Sequence, residues 1–118
     1  MLKIVELTLL FDFYGQLLTE KQQKIFQLYY NDDLSLGEIS ENLNITRQAV
    51  YDILKRVENL LTNYEKRLKL VERYLIEREE IKKAKLIISQ YKNNKKIDNE
   101  LMTVLNYIED ILNNLSNH

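Results

Sequence analysis

Arg47, Gln48, Tyr51, Lys55 and Arg56 are the side chains whose types and spacing could do chemistry in this chain. They recur at three- and four-residue intervals, so one helical face would present them together. Arginine and glutamine can pair bidentately with the edges of guanine and adenine, and Lys55 and Arg56 suit phosphate. Asp52 stands among them and would repel a phosphate backbone. The competing account is therefore an ordinary solvated helix face, and the sequence leaves both accounts open.

A second basic group follows. Lys82, Lys83, Lys85, Lys92, Lys95 and Lys96 fall within fifteen positions with no acid between them. Such a patch fits the phosphates of RNA or DNA. Tyr91 lies inside it and could stack on a base. A soluble lysine-rich surface is the alternative. Catalytic and metal chemistry have little to work with. The one histidine is His118, there is no cysteine, and no Gly-rich phosphate loop or metal-ligand spacing is present. Ser35, Ser40 and Thr46 read as caps and a packing residue. Glu77, Glu79 and Glu80 read as a charged face. The expectation is a protein that is not an enzyme and carries no cofactor and no metal.

The elements that must position these residues can be read locally. Ser35 is an N-cap with Glu38 as its capping-box partner three residues on. Ile39 and Leu43 give an apolar stripe, and Asn44 stands where a tight turn needs a left-handed residue. Ile45 plugs the turn. Thr46 caps a second helix whose inner face is Val50, Ile53 and Leu54, and the small Ser40 lets the two helices cross closely. Residues 35–54 thus predict a helix-turn-helix, the frame that sets a second helix in a DNA groove. Arg47 and Gln48 occupy the N-terminal end of that helix, where base contacts are made.

Around this pair the chain reads as helix throughout. It has no proline and two glycines, too few breakers for a sheet. Helix one is expected from about Lys3 to Tyr14, with Ile4, Leu7, Leu10, Phe11 and Tyr14 as its stripe and Gly15 as its stop. Thr19 and Gln22 cap helix two, which buries Ile25, Phe26, Leu28 and Tyr29. From Leu54 the positions Val57, Leu61, Tyr64, Leu68, Val71 and Leu75 form a heptad seam. It would be covered within the chain or by a second copy in a homodimer. The seam slips at Glu77–Glu80, predicting a phase change or a short break there. Asp98 caps a last helix with Leu101, Val104, Leu105, Ile108, Leu112 and Leu115, expected to fold back on its predecessor.

The 118 residues, 45% hydrophobic, suit one all-helical domain (1–118), with a helix-turn-helix core at 18–61 and a long-helix continuation and helical hairpin at 62–118. Net charge is −1, so any nucleic-acid surface must be local. The opening MLKIVELTLLFDFYG carries Glu6 and Asp12 and lacks a basic leader. It reads as neither signal peptide nor membrane span, and a cytoplasmic protein is expected.

Two resemblances extend this reading. Residues 18–61, with EIS-x-x-L-x-I-T-R at their centre, resemble region 4 of bacterial sigma factors, which binds the promoter −35 element. That resemblance implies Arg47, Gln48 and Tyr51 facing DNA, with Asn44 in place of the usual turn glycine and Asp52 as a departure. Over nearly the whole chain, LFDFYG, LTEKQQ and YYNDDLSLGEIS resemble the small YlxM-type proteins of Gram-positive bacteria and mycoplasmas. Genes of that family lie beside those of the signal recognition particle protein Ffh or its receptor FtsY. The resemblance implies a regulatory partner of Ffh, FtsY or the particle RNA, with a sigma-like DNA-binding regulator as the alternative.

Overall fold

A computed structural model describes residues 4–94 and 96–117. Within them the chain forms α1 (Ile4–Tyr14), a 3-10 turn (Gly15–Leu17), α2 (Glu20–Tyr30), α3 (Leu36–Leu43), α4 (Arg47–Leu68), α5 (Leu70–Asn94) and α6 (Asn99–Ser116), with no strand among the described residues. Lys3, the expected start of the first helix, and Lys95 lie outside the described residues. The chain divides into two compact units, Met1–Val71 and Glu72–His118.

In the first unit the helix starts are fixed by side chains next to them in sequence. Thr19 Oγ1 accepts the Gln22 amide at 3.1 Å, and Gln22 Oε1 accepts the Thr19 amide at 3.0 Å. Ser35 and Glu38 repeat the arrangement for α3. Each box satisfies two amides that a helix start leaves without partners. The core has two parts, both built on α4. Ile25, Ile39, Val50 and Leu54 join α2, α3 and α4. Leu7, Leu10, Tyr14, Leu18, Phe26, Val57, Leu61 and Val71 seat α1 against the later turns of α4. The Phe11 and Phe26 rings stack at 4.3 Å within this layer. Ile4, expected in the buried stripe, is exposed, because it lies at the rim of a shallow groove with Tyr29 and Leu34.

The heptad seam holds only in part. Leu54, Val57 and Leu61 are buried within the chain, but Leu68 and Leu75 are exposed. The helix that the periodicity carries onward stops at Leu68, where Lys69 turns left-handed at φ 54°. The cause lies far off in sequence. The Tyr14 hydroxyl donates to Glu65 Oε1 at 2.5 Å and accepts the Leu70 amide at 3.1 Å. Glu65 Oε1 also accepts the Val71 amide at 3.0 Å. Two side chains thus satisfy the first amides of α5 and make the break favourable despite its strained lysine. At Glu77–Glu80, where the pattern slips, α5 runs on as one helix.

The second unit is a hairpin of α5 and α6. Asp98 Oδ1 caps α6 by accepting the Leu101 amide at 2.8 Å. Ile81, Ala84 and Ile88 on α5 and Leu101, Leu105 and Leu112 on α6 are half-buried. Val104, Ile108 and Leu115, expected in the same stripe, are exposed. Lys92 Nζ closes the hairpin, 2.7 Å from Glu109 and 2.8 Å from Asn106.

Two outcomes follow for the first unit. Tyr14→Phe strips the Leu70 amide and Glu65 of a partner and should cost about 1–3 kcal/mol in urea denaturation. Lys69→Gly should not destabilise, since glycine adopts the left-handed region freely. An unchanged midpoint in Tyr14→Phe would refute this account of the break. The second outcome concerns alkali. Burial first, then the hydrogen bonds to Glu58 and Glu65, raise the Tyr30 and Tyr14 hydroxyls above the ordinary tyrosine value. A raised folded value means this stability is fully present below about pH 10 and lost as pH climbs through the folded values. Stability should therefore fall above about pH 10, and Tyr30→Phe should flatten that fall.

Candidate nucleic-acid interface

The turn between α3 and α4 is built as a helix-turn-helix requires. Asn44 sits in the left-handed region at φ 56° and ψ 46°, and its amide and that of Ile45 both bond the Ser40 carbonyl. Asparagine tolerates this conformation better than other side chains do. Ser40 is buried, and its hydroxyl donates to the Gly37 carbonyl at 2.7 Å, so the small side chain needs no other partner. Thr46 Oγ1 accepts the Ala49 amide at 3.0 Å and starts α4. Ile39 and Val50 have no exposure at all, and they lock the two helices together.

That frame presents Arg47, Gln48, Tyr51, Lys55 and Arg56 on the exposed side of α4. They do not all point outward as free groups. A Cβ on Gly37 would come within 3.1 Å of the Arg47 guanidinium, so Arg47 lies flat on the first turn of α3. Gln48 Nε2 donates to Asp52 Oδ1 at 2.9 Å. The Lys55 ammonium stands 6.0 Å from the Tyr51 ring centroid, the outer limit of a cation–π contact. Gln48 and Tyr51 are thus each matched to the residue one turn on. The sequence missed the place of Gly37. It was legible only as a glycine near a helix start, since Arg47 reaches it across the turn.

Charge divides this surface. From Asp32 to Thr46 the charged residues are Asp32, Asp33, Glu38 and Glu41, all acidic. Helix-turn-helix docking lays the first helix across the phosphate backbone. Here that helix carries Glu38 and Glu41, so the positive edge narrows to Arg47, Lys55 and Arg56.

The lysine group falls in the second unit. Lys82 and Lys83 are exposed and Lys85 is half-buried, and the three line a shallow depression with Glu79, Leu86, Ser89 and Glu109. Lys96 is exposed beyond the end of α5, and Tyr91 is partly exposed on it. Lys92 is drawn inward to Glu109 and Asn106, so it ties the hairpin. The signal for that pairing was present: α6 carries Glu100, Glu109 and Asp110 and no base. Among the described residues, no three acidic or histidine side chains gather where they could hold a metal. Nor is any described helix long and apolar enough to cross a membrane.

Comparison with known proteins agrees with this frame. Residues 1–105 match the model of the UPF0122 family, described as "Putative helix-turn-helix protein, YlxM / p13 like". A UPF0122 protein of Clostridium novyi (strain NT) is 44% identical over 111 residues, covering 94% of this chain and 93% of its own length. One from Bacillus cereus (strain AH187) is 41% identical over 109 residues, covering 92% and 96%. Another, from Caldanaerobacter subterraneus subsp. tengcongensis, is 56% identical over 79 residues, covering 67% and 68%.

Asp52 gives a direct handle on α4. Asp52→Ala removes an acid and releases the Gln48 amide, so duplex DNA affinity at low salt should rise several-fold, roughly 1 kcal/mol. Unchanged affinity would mean that this face of α4 does not meet DNA.

Proposed function

Since the chain belongs to the UPF0122 family of YlxM / p13-like helix-turn-helix proteins, we propose that it is a nucleic-acid-binding accessory protein of the signal recognition particle pathway. In this reading it acts in the cytoplasm without catalysis and engages the particle RNA, Ffh, or both. The pathway comes from the resemblance to YlxM-type proteins and their gene neighbours. The observation that carries the RNA part is electrostatic. Lys82, Lys83, Lys85 and Lys96 form a basic run with no acid between its members, bordered by Glu79 and Glu109, whereas Asp52 stands within the basic set of α4 and Glu38 and Glu41 flank it. Phosphate contacts supply most sequence-independent affinity, and the lysine run is the richer source of them.

A second reading has its own support in the α3–turn–α4 geometry. It is a sigma region 4-like regulator that reads duplex DNA through Arg47, Gln48 and Tyr51, with Lys55 and Arg56 on phosphate. Arg47 would swing off Gly37 to reach a base. Its guanidinium is the flexible end of a long side chain, so that movement is inexpensive.

The two readings separate by titration. Anisotropy of labelled signal recognition particle RNA and of random duplex DNA should be followed at two salt concentrations. The RNA should bind more tightly and weaken with salt. Replacing Lys82, Lys83 and Lys85 together by Gln should reduce the salt slope by about 2–3. Arg47→Ala should leave RNA affinity unchanged. A preference for duplex DNA that Arg47→Ala removes would transfer the assignment to the sigma-like reading.

A further inference from the structure

The second unit, from Glu72 onward, buries no side chain among its described residues, yet it carries more apolar surface than one seam requires. On α6 the half-buried Leu101, Leu105 and Leu112 share the side of Glu109, which meets Lys92 of α5. Val104, Ile108, Ile111 and Leu115 fall on the adjoining flank of the same broad apolar face, exposed at 49%, 38%, 42% and 55%. Their spacing is four, three, four, the spacing of a helix–helix seam. Tyr107 flanks them at 68% exposure. The apolar face of α6 is thus wider than the part half-buried in the hairpin, and its outer flank keeps the exposure.

We propose that this stripe binds a second copy of the same chain. The α6 helices pair antiparallel about a two-fold axis, and the two hairpins close into a four-helix bundle. Three observations point to a copy of the chain as the occupant. First, the spacing reads the same in both directions. Antiparallel pairing sets Val104 against Leu115 and Ile108 against Ile111, and the two-fold repeats both pairs, as an isologous interface requires.

Second, the charges permit it. Glu109 is held by Lys92, and Asp110 follows it away from the stripe. Glu100 lies at one end of α6, where this register sets it at the far end of the partner helix, with Asn117 the nearest described residue and no acid beside it. A helix with three acids and no base is a poor surface for nucleic acid.

Third, the size is right. Tyr107, the four stripe residues, and Ile76 and Ile87 on α5 are all exposed. Seven such side chains leave on the order of 100 Å² each, close to the roughly 800 Å² that each partner gives a stable dimer. In the other seam in the sequence, Leu54, Val57 and Leu61 are already covered within the chain, and its exposed members, Leu68 and Leu75, lie on either side of the break at Lys69. The inference is independent of which nucleic acid the protein binds.

The full chain should sediment as a dimer over a wide concentration range, and Ile108→Glu should weaken association by roughly a hundredfold. Circular dichroism of that variant at high concentration reports whether its helices remain. Where it fails to fold, a second variant decides. The chain has no native cysteine, so Ile108→Cys with Ile111→Cys gives thiols only on the proposed seam. Oxidation should then yield a covalent dimer that reductant splits. A wild-type chain that stays monomeric, a dimer that Ile108→Glu leaves intact, or a cysteine pair that does not cross-link would each overturn the proposal.

Discussion

One phenolic hydroxyl decides where the fourth helix ends. Tyr14 is buried at the end of α1, and its oxygen both donates to Glu65 and accepts from Leu70. Without it, the apolar repeat of α4 would favour continuing straight through Lys69. A left-handed lysine costs about 1–2 kcal/mol relative to helix. The three hydrogen bonds made through Tyr14 and Glu65 each contribute on that scale when they keep a buried group from being orphaned. The break therefore belongs to tertiary packing. It is made by α1, and α1 is held in turn by the Phe11–Phe26 stack and by Val57 and Leu61 on α4.

Given that stop, α4 serves two masters along one length. Its first turns carry Val50 and Leu54 against α2 and α3 and so fix the helix-turn-helix. Its later turns carry Val57 and Leu61 against α1. Tyr30 joins the two regions, packing on Phe26 and donating to Glu58 of α4 at 2.8 Å. The exposed edge from Arg47 to Arg56 thus sits on a rigid support. Its chemistry is restrained by neighbours one turn away and by Gly37 across the turn.

What the sequence made legible was local. The capping pairs Thr19–Gln22 and Ser35–Glu38, the left-handed Asn44, and the caps Thr46 and Asp98 all stand where they were read, because a cap and its amide lie three residues apart. The buried set Ile39, Val50 and Leu54 was legible from period alone. What failed was non-local. The partners that end α4 are separated by fifty-one positions in sequence, from Tyr14 to Glu65. The heptad pattern gives no hint of them. Lys92 was grouped with its neighbouring lysines because the acid that takes it lies seventeen residues on. The last helix read as one stripe, because periodicity does not distinguish the half-buried Leu101, Leu105 and Leu112 from the adjoining Val104, Ile108 and Leu115, which keep more exposure.

The difference in burial between the two units carries over into time. The first unit has side chains with no exposure at all, and exchange of its innermost amides requires cooperative opening. In the hairpin every described residue keeps some contact with water, so its amides need only local separation of α5 from α6. One chain then holds two clocks. In a single copy, deuterium would enter α6 long before it reaches the amides around Ile39 and Val50, and pairing of α6 with a second copy would slow that entry. A calorimeter would record the loss of helix in two stages, so that a single melting temperature would describe neither.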